Sequence, residues 1–223
     1  MTATRFDAVL FDCDGVLVDS EPITNGVLRD MLEELGWAMT REECMRLFVG
    51  KAVKDEAATI EARTGRPLTA QWLASFRERR NIGLERELVA IRNAHGAVHA
   101  LHAHFDGRIA CASGADLFKV RLQLTKVGLM PYFEGRVFSG HDLPRSKPFP
   151  DGYLAAAAAV GVVALRCAVV EDTITGVAAG VAAGATVFGY SPPEAGHDAP
   201  QALRDAGAAA VFADMAQLPG LLA

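Results

Sequence analysis

Six short apolar runs, separated by longer stretches with helical patterns, constrain the fold of this chain more than any other feature. The runs are FDAVLF (6–11), RIACAS (108–113), GRVFSG (135–140), RCAVVE (166–171), ATVFGY (185–190) and AAAVFA (208–213). Each is nearly continuous in apolar residues and does not alternate, which is typical of strands buried on both faces of a parallel sheet. The chain is therefore predicted to be an α/β protein with a doubly wound parallel sheet.

Helical patterns follow three of these runs and end in glycines. They are DLFKVRLQLTKVG (116–128), DGYLAAAAAVG (151–161) and TGVAAGVAAG (175–184). A glycine at the end of such a pattern is a common helix stop. In the third helix, Gly180 and Gly184 predict a close approach of the helix to the sheet.

The stretch from residue 21 to residue 88 contains no strand-like run. Its helical patterns include ITNGVLRDMLEELG and LTAQWLASFRERRNIGLEREL, and it lies between the first and second predicted strands. We interpret it as a small, all-helical cap domain inserted after the first strand. The predicted domains are a core of residues 1–18 and 89–223 and a cap of residues 19–88.

Charge and hydropathy exclude several classes of protein. The net charge of −5 comes without a basic patch, which argues against a nucleic-acid partner. No run of 18 apolar residues indicates a membrane span, and the first residues show no targeting pattern. We expect a cytoplasmic monomer. The four scattered cysteines, Cys13, Cys44, Cys111 and Cys167, are expected to be reduced.

Polar residues lie at or just after the ends of four of the predicted strands, and in an open parallel sheet these strand ends meet at one rim. The residues are Asp12 and Asp14 after the first strand, Ser113 at the end of the second, Lys147 after the third, and Glu171 and Asp172 at the end of the fourth. Carboxylates crowded in this way repel one another and require a cation, and hard oxygen ligands suit Mg²⁺. The set suits a divalent cation beside an anionic group.

The pair Asp12 and Asp14 suggests phosphoryl transfer. One aspartate is able to attack phosphorus as a carboxylate nucleophile. The other is able to protonate the leaving oxygen and later to deprotonate water. Gly15 permits the sharp turn that brings the second carboxylate back over the first. Lys147 and a metal ion would neutralise the phosphoryl oxygens.

The segments DCDGVLVDSE, ASG, SKPFP and VVEDTITGVAAGVAAGA, in this order, resemble the four motifs of the haloacid dehalogenase superfamily. More narrowly, they resemble its β-phosphoglucomutase-like phosphatases, which have a Rossmann-like core and a helical cap after the first motif. The resemblance implies that Asp12 is the nucleophile that becomes an aspartyl phosphate and that Asp14 is the general acid and base. It also implies that Ser113 binds the phosphoryl oxygens and that Lys147 bridges Asp12 and the phosphoryl group.

The resemblance further implies a Mg²⁺ site. Its ligands would be Asp12, the backbone carbonyl of Asp14, and Asp172, with Glu171 near or within the coordination shell. The bond between Lys147 and Pro148 is a candidate for the cis form. Gly114 departs from the family pattern, which usually has Ser or Asn there, so only its backbone amide remains to contact the substrate.

Candidate substrate contacts of the cap are Glu21, just beyond the first motif, and Arg46, Lys51 and Lys54 in CMRLFVGKAVKDE. The three cations would suit a second anionic or polyhydroxyl group of the substrate. A solvated charged face is the alternative for them.

The predicted function is Mg²⁺-dependent hydrolysis of a small phosphomonoester. The motifs look most like those of bacterial enzymes that act on sugar and sugar-acid phosphates, 6-phosphogluconate among them. The alternatives are a β-phosphoglucomutase-type mutase and a catalytically silent binding protein on the same fold. The stretch DSEPITNGV lacks the histidine typical of the mutases, and Asp14 argues against a dehalogenase.

Two further groups of residues receive structural interpretations. His95, His99, His102 and His104 are interpreted as a solvated helix face, with a transition-metal site as the alternative. Trp37 and Trp72 are expected to pack in the core of the cap.

Overall fold

A parallel sheet forms the centre of the molecule. The computed structural model describes residues 5–49, 51, 53–193 and 198–222. This part of the chain contains six strands: β1 (Ala8–Phe11), β2 (Ile109–Ser113), β3 (Val137–Ser139), β4 (Cys167–Glu171), β5 (Thr186–Tyr190) and β6 (Ala210–Phe212). Each strand lies within one of the six predicted runs, and all pairs are parallel. The predicted α/β fold is confirmed.

The strand order is β3-β2-β1-β4-β5-β6, so β1 is central and the order reverses there. Phe11 of β1 is in register with Cys111 of β2 and with Val170 of β4. The residues that follow β1 therefore emerge beside the ends of both neighbouring strands. Ligands of doubly wound sheets bind at this kind of switch point.

Eleven α-helices are present in the described residues, with short 3₁₀ segments at Val53–Glu56, Ala164–Arg166 and Met215–Gln217. The helices are α1 (Glu21–Glu34), α2 (Arg41–Phe48), α3 (Ala57–Thr64), α4 (Ala70–Glu87), α5 (Ala94–His104), α6 (Leu117–Lys126), α7 (Met130–Phe133), α8 (Asp151–Ala159), α9 (Ile174–Ala182), α10 (Pro200–Asp205) and α11 (Leu218–Leu222). Of these, α6, α8 and α9 match the three helices that were predicted to end in glycines. No helix in the described part of the chain is long and apolar enough to cross a membrane.

Small residues let α9 pack tightly on the sheet. A Cβ atom at Gly180 would lie 2.7 Å from the Val187 side chain and 3.1 Å from that of Val169, so only glycine fits at this position. Gly184 was predicted to play the same part, and that prediction is wrong. It has no neighbour within 4 Å of its Cβ position, and its φ of +83° shows that it serves the turn after the helix.

The chain divides into two compact units, and each has a core of its own. One unit runs up to Asp19 and resumes at Val89, and the other is Ser20–Leu88. Residues 1–4, 194–197 and 223 of the predicted core, and Gly50 and Ala52 of the predicted cap, lie outside the described residues.

In the described part of Ser20–Leu88, helices α1 to α4 surround a buried apolar cluster and no strand occurs. The cluster consists of Leu28, Met31, Leu32, Cys44, Phe48, Ile60 and Phe76. Trp37 and Trp72 pack against it, as predicted. The role of this unit as a cap stays a prediction.

Candidate active site

Asp12 continues the central strand into a tight turn. Its backbone N–H donates to the carbonyl of Val170 (3.0 Å), and only 6% of the residue is exposed. After it, the backbone N–H of Gly15 donates to the carbonyl of Val18 (2.9 Å), and Gly15 has a φ of +79°. A side chain would be strained in this conformation, which explains a glycine at this turn.

Lys147 joins the carboxylates of two strands. Its Nζ donates to Oδ1 of Asp12 and to Oε1 of Glu171, and the bond to Pro148 is cis, as the resemblance implied. Burial lowers the pKa of Lys147, but the two carboxylates and the neighbouring Tyr153 raise it, and the net result is a pKa well above the usual value. The ammonium therefore stays charged.

Burial raises the pKa of Asp12 well above its usual range. The ammonium of Lys147 opposes this shift, while the nearby carboxylates, Glu171 foremost, add to it. Ionised Asp12 therefore needs more positive charge around it than Lys147 alone supplies.

Glu171 is fully buried and held by hydrogen bonds at both oxygens. Its Oε1 accepts from the Tyr153 hydroxyl (2.6 Å) as well as from Lys147. Its Oε2 accepts from the backbone N–H of Asp172 (3.1 Å) and from the hydroxyl of Thr173 (3.2 Å). A Cβ atom at Gly176 of α9 would overlap the Glu171 carboxylate, so the absence of a side chain there makes room for it.

Three carboxylates of this site are arranged as a group that could hold a metal ion. Asp12, Glu171 and Asp172 each offer an oxygen, these oxygens lie within 4.8 Å of one another, and all three residues are buried. With Asp14, the site holds four carboxylates against the two ammonium groups of Lys119 and Lys147. The formal excess of two negative charges and the all-oxygen donor set fit a hard divalent cation.

Asp14 is held by two side chains that sequence reasoning missed. Lys119 Nζ and Gln123 Nε2 each donate to Asp14 Oδ1 at 2.7 Å. The sequence shows that the two residues share a helix face, but not that this face is buried against Asp14. They are four residues apart in the predicted helix 116–128, so they share one face of a helix that begins just after Ser113.

Ser113 and Gly114 lie where β2 ends. Ser113 is 4% exposed, and its hydroxyl accepts from the backbone N–H of Ala115 (3.1 Å). At Gly114, a Cβ atom would lie 3.7 Å from the Ser146 hydroxyl oxygen. The structure thus brings Asp12, Lys147, Glu171 and Asp172 together, with Asp14 and the end of β2 at the same rim.

The remaining candidates belong to the unit Ser20–Leu88. Glu21 Oε2 accepts from Asn25 Nδ2 (2.7 Å), and Lys51 forms an exposed ion pair with Glu56 (3.4 Å). Arg46 and Lys54 are exposed. A contact of these four residues with substrate stays a prediction.

The histidines of α5 belong to no group of three or more candidate metal ligands in the described residues. Within the described ranges, the one such group consists of Asp12, Glu171 and Asp172. His95, His99 and His104 are exposed, and His95 Nε2 lies 2.6 Å from the carbonyl oxygen of Val127. The prediction of a solvated helix face holds for these three, whereas His102 is half-buried with its ring against that of Tyr132 (5.3 Å between centroids).

Replacing Gly176 with alanine is expected to lower the free energy of unfolding by about 1–3 kcal/mol, because the new methyl group overlaps the buried carboxylate of Glu171. Thermal melting measures the effect. Gly96→Ala in α5 is the matched control, since nothing lies within 4 Å of its Cβ position and alanine favours a helix by up to about 1 kcal/mol. Equal melting temperatures for the two variants would contradict the packing described here.

Comparisons with known proteins agree with this geometry. Residues 6–184 match the family model for haloacid dehalogenase-like hydrolases. The 6-phosphogluconate phosphatase of Escherichia coli K12 is 32% identical, covering 83% of this chain and 82% of its own length. Hexitol phosphatase B of the same strain is 30% identical, covering 88% of this chain and 89% of its own length.

A solved structure shows the same architecture. A HAD family hydrolase from Deinococcus radiodurans R1, crystallised with bound phosphate and sodium, superposes with a TM-score of 0.80. It is 34% identical, and the match covers 98% of each chain. The central aspartates, the lysine beside them, and these matches over most of the chain lead to one assignment: this chain belongs to the haloacid dehalogenase-like hydrolase family.

Proposed function

We propose that this protein is a Mg²⁺-dependent phosphatase that hydrolyses a small sugar or sugar-acid phosphate through an aspartyl phosphate on Asp12. The enzyme is a phosphoric monoester hydrolase, the reaction class to which the family match and the phosphatase relatives point. One observation carries the proposal: the buried carboxylate of Asp12 lies against Lys147 and within the acidic group formed with Glu171 and Asp172.

In the proposed reaction, an oxygen of Asp12 forms a bond to phosphorus while the bond from phosphorus to the leaving oxygen breaks. Asp14 gives its proton to that oxygen. In the second half, Asp14 takes a proton from water, the water oxygen attacks phosphorus, and inorganic phosphate leaves with Asp12 restored. Lys147, the Ser113 hydroxyl and the Gly114 amide stabilise negative charge on the phosphoryl oxygens.

Asp12, Asp172 and the backbone carbonyl of Asp14 would hold the Mg²⁺ ion. Glu171 lies beside these ligands, and its hydrogen bonds to Lys147 and Tyr153 suit a residue that positions the lysine. When bound, Mg²⁺ supplies positive charge that offsets the repulsion between the carboxylates and the phosphoryl group.

The substrate class is proposed from the relatives and from charge. The names of two relatives state 6-phosphogluconate and hexitol phosphates as their substrates. Arg46, Lys51 and Lys54 place three cations on the unit Ser20–Leu88, which we propose acts as a cap. They would suit a carboxylate on the far end of a sugar-acid phosphate. We propose that the enzyme acts as a monomer on a small phosphorylated metabolite.

Phosphate release tests the function. The purified enzyme is offered sugar phosphates, 6-phosphogluconate, hexitol phosphates, phosphoglycolate and nucleotides, each with Mg²⁺ and with EDTA. We expect Mg²⁺-dependent release of phosphate, fastest from a sugar or sugar-acid phosphate. Release should be lost in EDTA, because no metal ion then offsets the negative charges of Asp12, Glu171 and Asp172. Asp12→Asn protein purified in parallel controls for contaminating phosphatases.

Two outcomes would contradict the proposal. Interconversion of glucose 1-phosphate and glucose 6-phosphate without phosphate release would assign the enzyme to the mutases. Folded protein that releases phosphate from none of the esters would favour a catalytically silent binding protein.

A further inference from the structure

Lys119 and Gln123 form a buried pair of donors on α6 that the chemistry above does not use. They lie one helical turn apart, and both donate at 2.7 Å to the same atom, Oδ1 of Asp14. Only 7% of the Lys119 side chain is exposed, and Gln123 is fully buried. Burying an ammonium group is costly unless a carboxylate compensates it, so this lysine is placed specifically for Asp14.

The two donors are themselves held in place. Cys13 lies between the two aspartates, and its Sγ donates to Gln123 Oε1 at 3.6 Å. This contact orients the amide so that its nitrogen faces Asp14. The start of α6 is capped by Asp116, whose Oδ1 accepts from the backbone N–H of Lys119 (2.9 Å). One hydrogen bond therefore holds the Gln123 amide and another holds the start of the helix that carries Lys119, so both donors to Asp14 are fixed in position.

We propose that Lys119 and Gln123 are positioning residues for Asp14. With both donors on Oδ1, the proton that Asp14 transfers is carried by Oδ2, and the carboxyl group is held in one orientation toward the leaving oxygen. The inference rests on the proposed phosphatase function. It adds that the acid and base step depends on α6, whereas the attack by Asp12 does not.

The choice of substrate separates the attack by Asp12 on phosphorus from the proton transfers by Asp14. The leaving group of p-nitrophenyl phosphate departs without a proton, so phosphorylation of Asp12 by this ester does not need Asp14. Hydrolysis of the aspartyl phosphate still needs Asp14 as a base. Turnover of 6-phosphogluconate needs Asp14 in both halves of the reaction, first to protonate the leaving sugar-acid oxygen and then to deprotonate water.

The test uses rapid mixing with Mg²⁺ present and compares Lys119→Met and Gln123→Met with the parent enzyme. With p-nitrophenyl phosphate, we expect about one equivalent of p-nitrophenol per enzyme at the parent's rate, followed by a steady state slowed about 10²-fold in Lys119→Met and about 10-fold in Gln123→Met. With 6-phosphogluconate, the two variants are expected to show no fast initial release of the sugar acid. Lys126→Met, on the exposed end of the same helix, is the matched control and should behave as the parent.

The results decide between three explanations. Parent-like rates in both variants on both esters would overturn the positioning role and leave the phosphatase proposal intact. Loss of the fast phase together with the steady state would also overturn it, because it would show damage at Asp12. A parent enzyme that releases nothing from any ester would overturn the phosphatase function first. If Lys119→Met does not fold, Gln123→Met, which removes no charge, decides the matter.

Discussion

Asp12→Asn is expected to reduce turnover by about 10⁴-fold or more, because an amide cannot form the acyl phosphate on which the proposed reaction depends. The change keeps the size of the side chain and its place beside Lys147. It also removes one of the crowded negative charges, and burial already disfavours the ionised form of Asp12. The folded state should therefore be as stable as that of the parent, or more stable.

Phosphate release, thermal melting and mass spectrometry of the acid-quenched enzyme test this expectation. The parent should carry an added phosphoryl group in the steady state, and Asp12→Asn should carry none. Asp106→Asn is the matched control, since Asp106 is exposed and its φ of +49° is one that asparagine tolerates well. Near-normal activity of Asp12→Asn would show that another group attacks phosphorus.

Lys147→Met is the second change with a large expected effect. It leaves Asp12 and Glu171 buried without the ammonium group between them, which typically costs about 3–5 kcal/mol of stability. It also removes the cation that we propose stabilises the phosphoryl oxygens, so we expect kcat to fall by about 10²- to 10³-fold. The Mg²⁺ ion should then contribute more to stability, because the excess negative charge of the site is larger.

Melting curves with EDTA and with Mg²⁺ measure this coupling. The rise in Tm on adding Mg²⁺ should be larger for Lys147→Met than for the parent. Lys126→Met serves as the control for removing a lysine charge at an exposed position. An equal rise in all three proteins would show that Lys147 and the metal ion do not share the same carboxylates.

The fold was predictable from sequence because strands buried on both faces leave a strong pattern. All six strands lie within the predicted runs, although β3 and β6 are only three residues long. Both are partly exposed strands at the edges of the sheet, and each has a neighbouring strand on one side only. In both, the apolar run in the sequence is longer than the stretch that pairs. Short helices such as α7 (Met130–Phe133) carry too few residues for a pattern, and packing decides them.

The site was predictable where it depends on strand ends, and not where it depends on helix packing. Asp12, Lys147 and Asp172 follow strands and Glu171 ends one, and the parallel sheet brings the four to one rim. Tyr153 and Lys119 arrive from α8 and α6, and their partners are far away in sequence. A lysine in an amphipathic helix is normally solvated, so only the packed structure shows that Lys119 is buried.

The central place of β1 also sets the order in which the molecule can assemble during synthesis. Val9 pairs with Ile109 and Ala8 with Cys167. During synthesis β1 is therefore complete long before either of its neighbouring strands, and it has no strand to pair with until they are made. The helices of Ser20–Leu88, by contrast, all find their partners within that one continuous stretch of chain. We expect the helical unit to form first and the catalytic rim last, so that a nascent chain lacking β4 carries an uncovered apolar strand and no active site.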